Sequence, residues 1–226
     1  MTGQIHSLSA GSGGFTVRLQ GCPLQCVGCG RPDTWSAQAG YALDADSLVQ
    51  QALLSQPLWK GRGGVTVTGG EPLMQAPFVD AFFAGAQAAG MHTTLETSGA
   101  GRPGMAERLL RHTDLVLCSL KFITPADYRR YCHGDMNQVE QFLRLTAFKG
   151  VPLRIRHTVI PGLTDSLEHM RLVRDRAQRL PNLERFDFVP YCRPDSGAYH
   201  CLGLEPPLPD TPDMDAAWLK QLTKKL

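Results

Sequence analysis

This sequence predicts an α/β fold, an open, partial (β/α)6 TIM-like barrel, on three observations. Segments of strand character and helix character alternate about six times, the pattern of a parallel sheet with helical crossovers. The chain has 226 residues, fewer than the about 250 that a full eight-unit barrel commonly uses. Polar and glycine-rich groups follow the strand-like segments, which is where such folds carry their active sites.

The elements run in this order. Phe15-Thr16-Val17-Arg18-Leu19 reads as a strand leading through Gln20-Gly21 into a cysteine loop. Between Asp44 and Ser55 the apolar residues Leu48, Ala52 and Leu53 recur at helical spacing, with Asp44 as N-cap. Val65-Thr66-Val67-Thr68 is a β-branched strand ending in Gly69-Gly70-Glu71-Pro72. A helix from Ala76 to Ala89 is closed by Gly90. His92 to Glu96 is a strand, Met105 to Arg111 a helix and Leu115 to Cys118 the next strand. Helices follow at Pro125–Tyr131 and Asn137–Phe148. Leu153 to Ile160 is a strand stopped by Pro161-Gly162, which blocks its continuation. Ser166 to Arg179 is an arginine-rich helix, Phe186 to Val189 the last strand, and Asp213 to Lys224 a C-terminal helix after a proline-rich stretch.

Composition narrows the function. Hydrophobic residues make up 42% and charged residues 19%, a globular profile. A net charge of +2 is too small to imply nucleic acid or an anionic membrane as partner. No apolar run is long enough to span a bilayer, and Met1-Thr2-Gly3-Gln4-Ile5-His6 lacks the basic and apolar blocks of a signal peptide. The expected compartment is the cytoplasm, where thiols stay reduced. Seven cysteines, an odd number with three of them clustered, fit metal binding better than a disulfide framework.

Those three are Cys22, Cys26 and Cys29, spaced Cys-x3-Cys-x2-Cys. Three thiolates can hold three corners of a 4Fe–4S cluster and leave the fourth iron open. Electron-transfer clusters close all four sites with protein ligands, whereas an open position admits a substrate, as at a catalytic zinc. A zinc site is the plainer alternative. Zinc normally takes four ligands, and no paired Cys-x2-Cys or His-x3-His follows.

Cys-x3-Cys-x2-Cys after a first strand and Gly-Gly-Glu-Pro after a second resemble the radical S-adenosylmethionine (SAM) superfamily. Gln4-Ile5-His6-Ser7, Leu19-Gln20-Gly21-Cys22, Asp33-Thr34-Trp35, Thr68-Gly69-Gly70-Glu71, Glu96-Thr97-Ser98-Gly99, Leu120-Lys121, Ile155-Arg156 and Val159-Ile160-Pro161-Gly162 are similar to its glycyl-radical-enzyme activating branch. The resemblance covers nearly the whole chain. It implies a single radical SAM domain over residues 1–226, without the ferredoxin-like insert of many relatives. It also implies a 4Fe–4S cluster on Cys22, Cys26 and Cys29 whose open iron binds SAM. Reductive cleavage would give methionine and a 5′-deoxyadenosyl radical, which abstracts a hydrogen from a glycine of a partner glycyl radical enzyme. A flavodoxin-type protein would donate the electron, and the chain would act as a monomer.

Carried over position by position, the resemblance implies cofactor contacts at Gly28, Cys29, Gly30, Gly69, Gly70, Glu71, Glu96, Ser119, Leu120, Lys121, Arg156 and Cys192. It gives the catalytic roles to Lys121 and Arg156. Glycine at 69–70 would let the backbone approach the ligand, and Arg156 would position a carboxylate through its planar fork. Blander readings stand beside these: a plain turn at Gly69-Gly70, a solvated strand end at Lys121 and Arg156, a core tyrosine at Tyr191. Cys118, Cys132, Cys192 and Cys201 are most simply free thiols.

The sequence departs from the family's pattern at several positions. Gly30-Arg31 replaces His-Asn after the third cysteine, and Gly28 replaces an aromatic residue. Gly11 to Gly14 is a shortened stretch. Glu96 and Ser119 stand for two aspartates that help hold a cation, and Cys192 stands for a histidine. Two other functions compete: a radical SAM enzyme acting on a small molecule, and a non-catalytic iron–sulfur module. A fourth ligand from Cys192 or Cys201 would mark the latter.

Overall fold

The computed structural model describes residues 1–61 and 63–226. Eight strands and eight α-helices follow one another along it among the described residues. They are β1 Thr2–Gly11, β2 Gly14–Leu19, β3 Tyr41–Asp44, α1 Ala45–Ser55, β4 Gly64–Gly69, α2 Ala76–Ala88, β5 His92–Thr97 and α3 Pro103–Leu109. Then come β6 Leu115–Ser119, α4 Pro125–Cys132, α5 Met136–Lys149, β7 Leu153–Val159, α6 Leu167–Gln178, β8 Leu183–Pro190, α7 Ser196–His200 and α8 Ala216–Thr223.

All eight strands join one sheet in the order β3-β1-β2-β4-β5-β6-β7-β8. The run from β2 to β8 is parallel throughout. These are the six strands expected of the partial barrel. Two further strands were not expected: β1 runs antiparallel to both β2 and β3. β1 reads Thr-Gly-Gln-Ile-His-Ser-Leu-Ser-Ala-Gly, with few β-branched or aromatic residues, and its register slips between Ile5 and Ser7. Intrinsic β-propensity there is weak, and pairing with β2 and β3 forms the strand.

The expected helix ends are largely found. Asp44 caps α1 by accepting from the Ser47 N–H at 2.9 Å. Gly90, at φ +75°, follows the end of α2. The expected helix at Met105–Arg111 begins instead at Pro103 and tightens into a 3-10 turn at Leu110–His112. The C-terminal helix is shorter than expected because Asp215 caps it, accepting from the Trp218 N–H at 2.6 Å.

Period-two alternation divides the sheet into two faces. Phe15, Val17 and Leu19 on β2, Val65 and Val67 on β4, Leu95 on β5, Val116 on β6 and Leu153 and Ile155 on β7 are buried in the main core. Val79, Phe82 and Phe83 of α2 and Phe142 of α5 belong to the same core. The opposite face carries Arg18, Thr68, Glu96, Ser119, Arg156 and Thr158, of which Arg18 pairs with Thr68 and Ser119 with Arg156 across neighbouring strands. A smaller cluster of Val159, Ile160, Met170, Tyr191, Met214, Leu219 and Leu222 seats the C-terminal helix.

Candidate active site

The polar face of the sheet ends in a cavity of about 220 Å³. Its wall is the cysteine loop, and its floor is the C-terminal ends of β4 to β7. Cys22, Cys26, Gly28, Cys29 and Gly30 line it from the loop, with Thr68, Gly69, Gly70, Glu96, Ser119 and Lys121 from the strand ends. These residues are therefore brought together from four separate stretches of chain.

Backbone hydrogen bonds hold the loop. The N–H of Gly21 donates to the Thr34 carbonyl at 2.8 Å, and that of Cys22 to the Trp35 carbonyl at 3.1 Å. On the other side the N–H groups of Gln25 and Val27 donate to the carbonyls of Cys132 (3.0 Å) and Tyr131 (2.8 Å) at the end of α4. The Tyr199 hydroxyl donates to the Cys29 carbonyl at 2.9 Å, and its ring meets Trp35 edge-on at 5.9 Å. The base, middle and end of the loop are each fixed to a different element.

Burial pushes the Cys22 thiol up to about 12 and raises that of Cys29. Cys26 is lowered to about 7, first by its contact with the Cys132 thiol and then, against burial, by the nearby Lys121 ammonium. Burial disfavours the Lys121 charge, yet the surrounding sulfurs, Cys26 foremost, raise its pKa. A cation set among thiols favours their ionised, metal-binding form.

Glu96 and Arg156 form an ion pair at 3.7 Å, both partly exposed. Gly28 lies close to Ile160 and Tyr191. A Cβ at position 28 would stand 3.4 Å from Ile160 Cδ1 and 3.6 Å from Tyr191 Cε2. The apolar side of the cavity where the family pattern has an aromatic residue is thus supplied by Ile160, with Val27 and Phe122 beside it.

Five sequence expectations are corrected. Glu71 does not face the cavity. It is fully buried, with Oε1 accepting from the Leu73 N–H (3.0 Å) and Thr97 hydroxyl (2.5 Å) and Oε2 from the Ser98 N–H (2.8 Å) and hydroxyl (2.5 Å). It is a strap tying the β4 turn to the end of β5, and burial raises its pKa against these four donors. Leu120 is a core side chain, 1% exposed. Only its backbone serves the site, the N–H donating to the Arg156 carbonyl and the carbonyl accepting from His157 Nδ1, both at 2.9 Å. Cys192 is exposed and does not line the cavity, and Cys201 is exposed as well. The glycines at 69 and 70 line the cavity, but their close approach is to protein: a Cβ on Gly70 would stand 2.2 Å from the Gly21 carbonyl oxygen, and one on Gly69, at φ +118°, 2.3 Å from the Leu19 nitrogen. Arg156 reaches the rim through Glu96 and is not itself a lining residue.

Sequence reasoning missed Arg31, Trp35, Thr158 and Cys132 as lining residues. Thr158 was recoverable, since it shares the polar face of β7 with Arg156. Cys132 was not, because its contact with Cys26 joins distant parts of the chain.

Among the described residues no three His, Cys, Asp or Glu side chains are arranged to hold one metal ion. The three sulfurs instead stand around a common cavity beside a lysine, a donor set that suits a multi-iron cluster. Fold and cavity together define an α/β partial barrel with three cysteine sulfurs gathered in one cavity at its strand ends. The family model of the Radical SAM superfamily matches residues 16–173. The pyruvate formate-lyase-activating enzyme of Clostridium pasteurianum is 35% identical over 99% of this chain and 97% of its own. The chain belongs to the radical SAM superfamily and, within it, to the glycyl-radical-enzyme activating enzymes. This family uses a 4Fe–4S cluster and SAM. Among solved structures, a domain of pyruvate-formate lyase-activating enzyme from Bacteroides vulgatus superposes with a TM-score of 0.58 at 21% identity, over 72% of this chain and 91% of that one. SuiB of Streptococcus suis bound to S-adenosylmethionine gives 0.70 at 16% identity, over 90% of this chain and 44% of that one. Both show the fold.

Proposed function

We propose that this chain, acting as a single radical SAM domain over residues 1–226, installs the radical on a partner glycyl radical enzyme. The observation that carries the reading is the convergence of Cys22, Cys26 and Cys29 on one strand-end cavity that Lys121 and Glu96 also line, with Arg156 paired to Glu96 at its rim. Cys22, Cys26 and Cys29 would hold the 4Fe–4S cluster. When bound, cluster and SAM supply a one-electron cleavage and, from it, the radical that removes a hydrogen atom from a backbone glycine.

The residues of the chain do the rest. Lys121 offsets the negative charge gathered by the thiolates. Arg156, oriented by Glu96, offers a guanidinium fork to a carboxylate. Val27, Phe122 and Ile160 give the cavity a dry apolar wall, which strengthens electrostatic contacts inside it and keeps water from a reactive species. Glu71 fixes the turn between the β4 and β5 ends without touching the ligand. A flavodoxin-type electron donor, a cytoplasmic setting and a monomeric state complete the reading. No helix among the described residues is long and apolar enough to cross a membrane.

Electron paramagnetic resonance of the anaerobically reconstituted, reduced chain tests this. The expected result is a cluster signal that changes on adding SAM, and a glycyl radical signal when a glycyl radical enzyme is added. Cys26→Ala should lose iron and both signals while keeping the far-UV circular dichroism of the parent, because the loop is held by backbone groups and Tyr199 and not by the Cys26 side chain. A signal indifferent to SAM, or a Cys26→Ala chain with full iron content, would overturn the assignment.

A further inference from the structure

Cys132 is a buried thiol that the mechanism above does not use. It is the last residue of α4, has no exposed surface, and lines the same cavity as the three loop cysteines. Its thiol is in contact with that of Cys26. The contact is built by the backbone. The N–H groups of Gln25 and Val27, on either side of Cys26, donate to the carbonyls of Cys132 and Tyr131 at 3.0 and 2.8 Å. Cys26 lies between the two donors, so these bonds hold it beside the end of α4. Immediately beyond Cys132 the chain turns sharply through His133 at φ +53°, so the helix end presents Cys132 to the loop.

We infer that Cys26 and Cys132 form a redox-modification site, in which a disulfide between them closes the metal-free cavity against cluster loading. The second half of this inference rests on the reading of Cys26 as a cluster ligand; the pairing itself does not. The oxidant is a low-molecular-weight disulfide. The Cys26–Cys132 S–S bond forms and the S–S bond of the oxidant breaks. The two electrons and two protons of the protein thiols leave with the oxidant as two small thiols. A thiol reductant runs the exchange backwards. With Cys26 engaged, the loop offers only Cys22 and Cys29 to iron. The bond would hold the loop in its folded position, so reduction would return a site ready for loading.

The test uses the full chain, purified anaerobically without metal and treated with glutathione disulfide. Non-reducing digestion with fragmentation mass spectrometry should find Cys26 joined to Cys132 as the main cross-link. The oxidised chain should lose iron uptake, and dithiothreitol should restore it. Cys132→Ala should load iron equally well before and after the same treatment. Cross-links mainly among Cys22, Cys26 and Cys29, or glutathione adducts without an internal bond, would overturn the pairing. Equal iron uptake by the oxidised and reduced parent chain would overturn the gating. If Cys132→Ala does not fold, the map and the uptake of the parent chain still decide. A reduced parent chain that takes up no iron would sink the cluster reading and the gating built on it. The cross-link map would then still decide the pairing.

Discussion

His157 lies on β7 with no exposed surface, one residue after Arg156. Its Nδ1 donates to the Leu120 carbonyl, and its Nε2 is buried without a partner. Burial, first among the causes, holds its pKa down at about 4, against an ordinary value of 6.5. Below about pH 6.5 the unfolded chain takes up a proton that the folded chain refuses until about pH 4. The stability tied to this residue is therefore complete above pH 6.5 and is lost as the pH falls through about 4, by about 3 kcal/mol in all. His169, whose ring lies 5.2 Å away and whose pKa burial also lowers, adds a slope of the same sign. Urea unfolding of the metal-free chain across this range should show the loss, and His157→Gln, which can still donate to Leu120 and does not titrate, should flatten it. An unchanged slope in the variant would remove His157 from the account. At this scale the sequence was least legible. Glu71 and Leu120 sit inside motifs that resemble SAM contacts, yet one points down into a hydrogen-bonded strap and the other into the core. A motif names the residues of a turn but not the direction each side chain takes from it.

The parallel strands were legible because their β-branched and apolar runs stop at glycine or proline, as Val65 to Thr68 stops at Gly69 and Leu153 to Ile160 stops at Pro161. β1 and β3 were not, since pairing across the sheet edge makes them strands. The junction of the β4 turn with the cysteine loop is where element packing changes a sequence-based expectation. Read from the motif alone, a side chain at Gly70 would only block SAM. In the fold the added Cβ would meet two backbone oxygens, Gly21 at 2.2 Å and Thr34 at 3.0 Å, the two residues that close the base of the cysteine loop. Neither can yield as a flexible side chain would. Gly70→Val should therefore displace the loop base, reducing iron uptake as well as SAM binding, and destabilise the chain by about 1–3 kcal/mol as overpacking does. Iron analysis alongside urea unfolding distinguishes the cases. Full iron content with only weakened SAM binding would mean that the glycine serves the ligand after all.

Over the whole molecule, the alternation of strands and helices was enough to give the partial barrel and the end of it that carries the site. What alternation does not carry is cooperativity between the main core and the C-terminal cluster. Val159 closes β7 in the common sheet and also belongs to the cluster that seats α8, together with Ile160, which lines the cavity. Tyr191, just after β8, donates its N–H to the Val159 carbonyl and accepts from the Met214 N–H. The C-terminal helix thus cannot leave without uncovering residues that the site and the sheet share. Three tryptophans report on this at separate places: Trp35 beside the cysteine loop, Trp59 between α1 and β4, and Trp218 on α8. Variants keeping one tryptophan each, with the others changed to phenylalanine, should unfold in urea at the same midpoint by fluorescence, and at the midpoint of far-UV circular dichroism, as one cooperative unit does. An earlier transition at Trp218 alone would make the C-terminal segment an independently detaching part. The cavity wall at Ile160 would then have to be treated as movable, and the apolar wall of Val27, Phe122 and Ile160 would exclude water only while the C-terminal segment is docked.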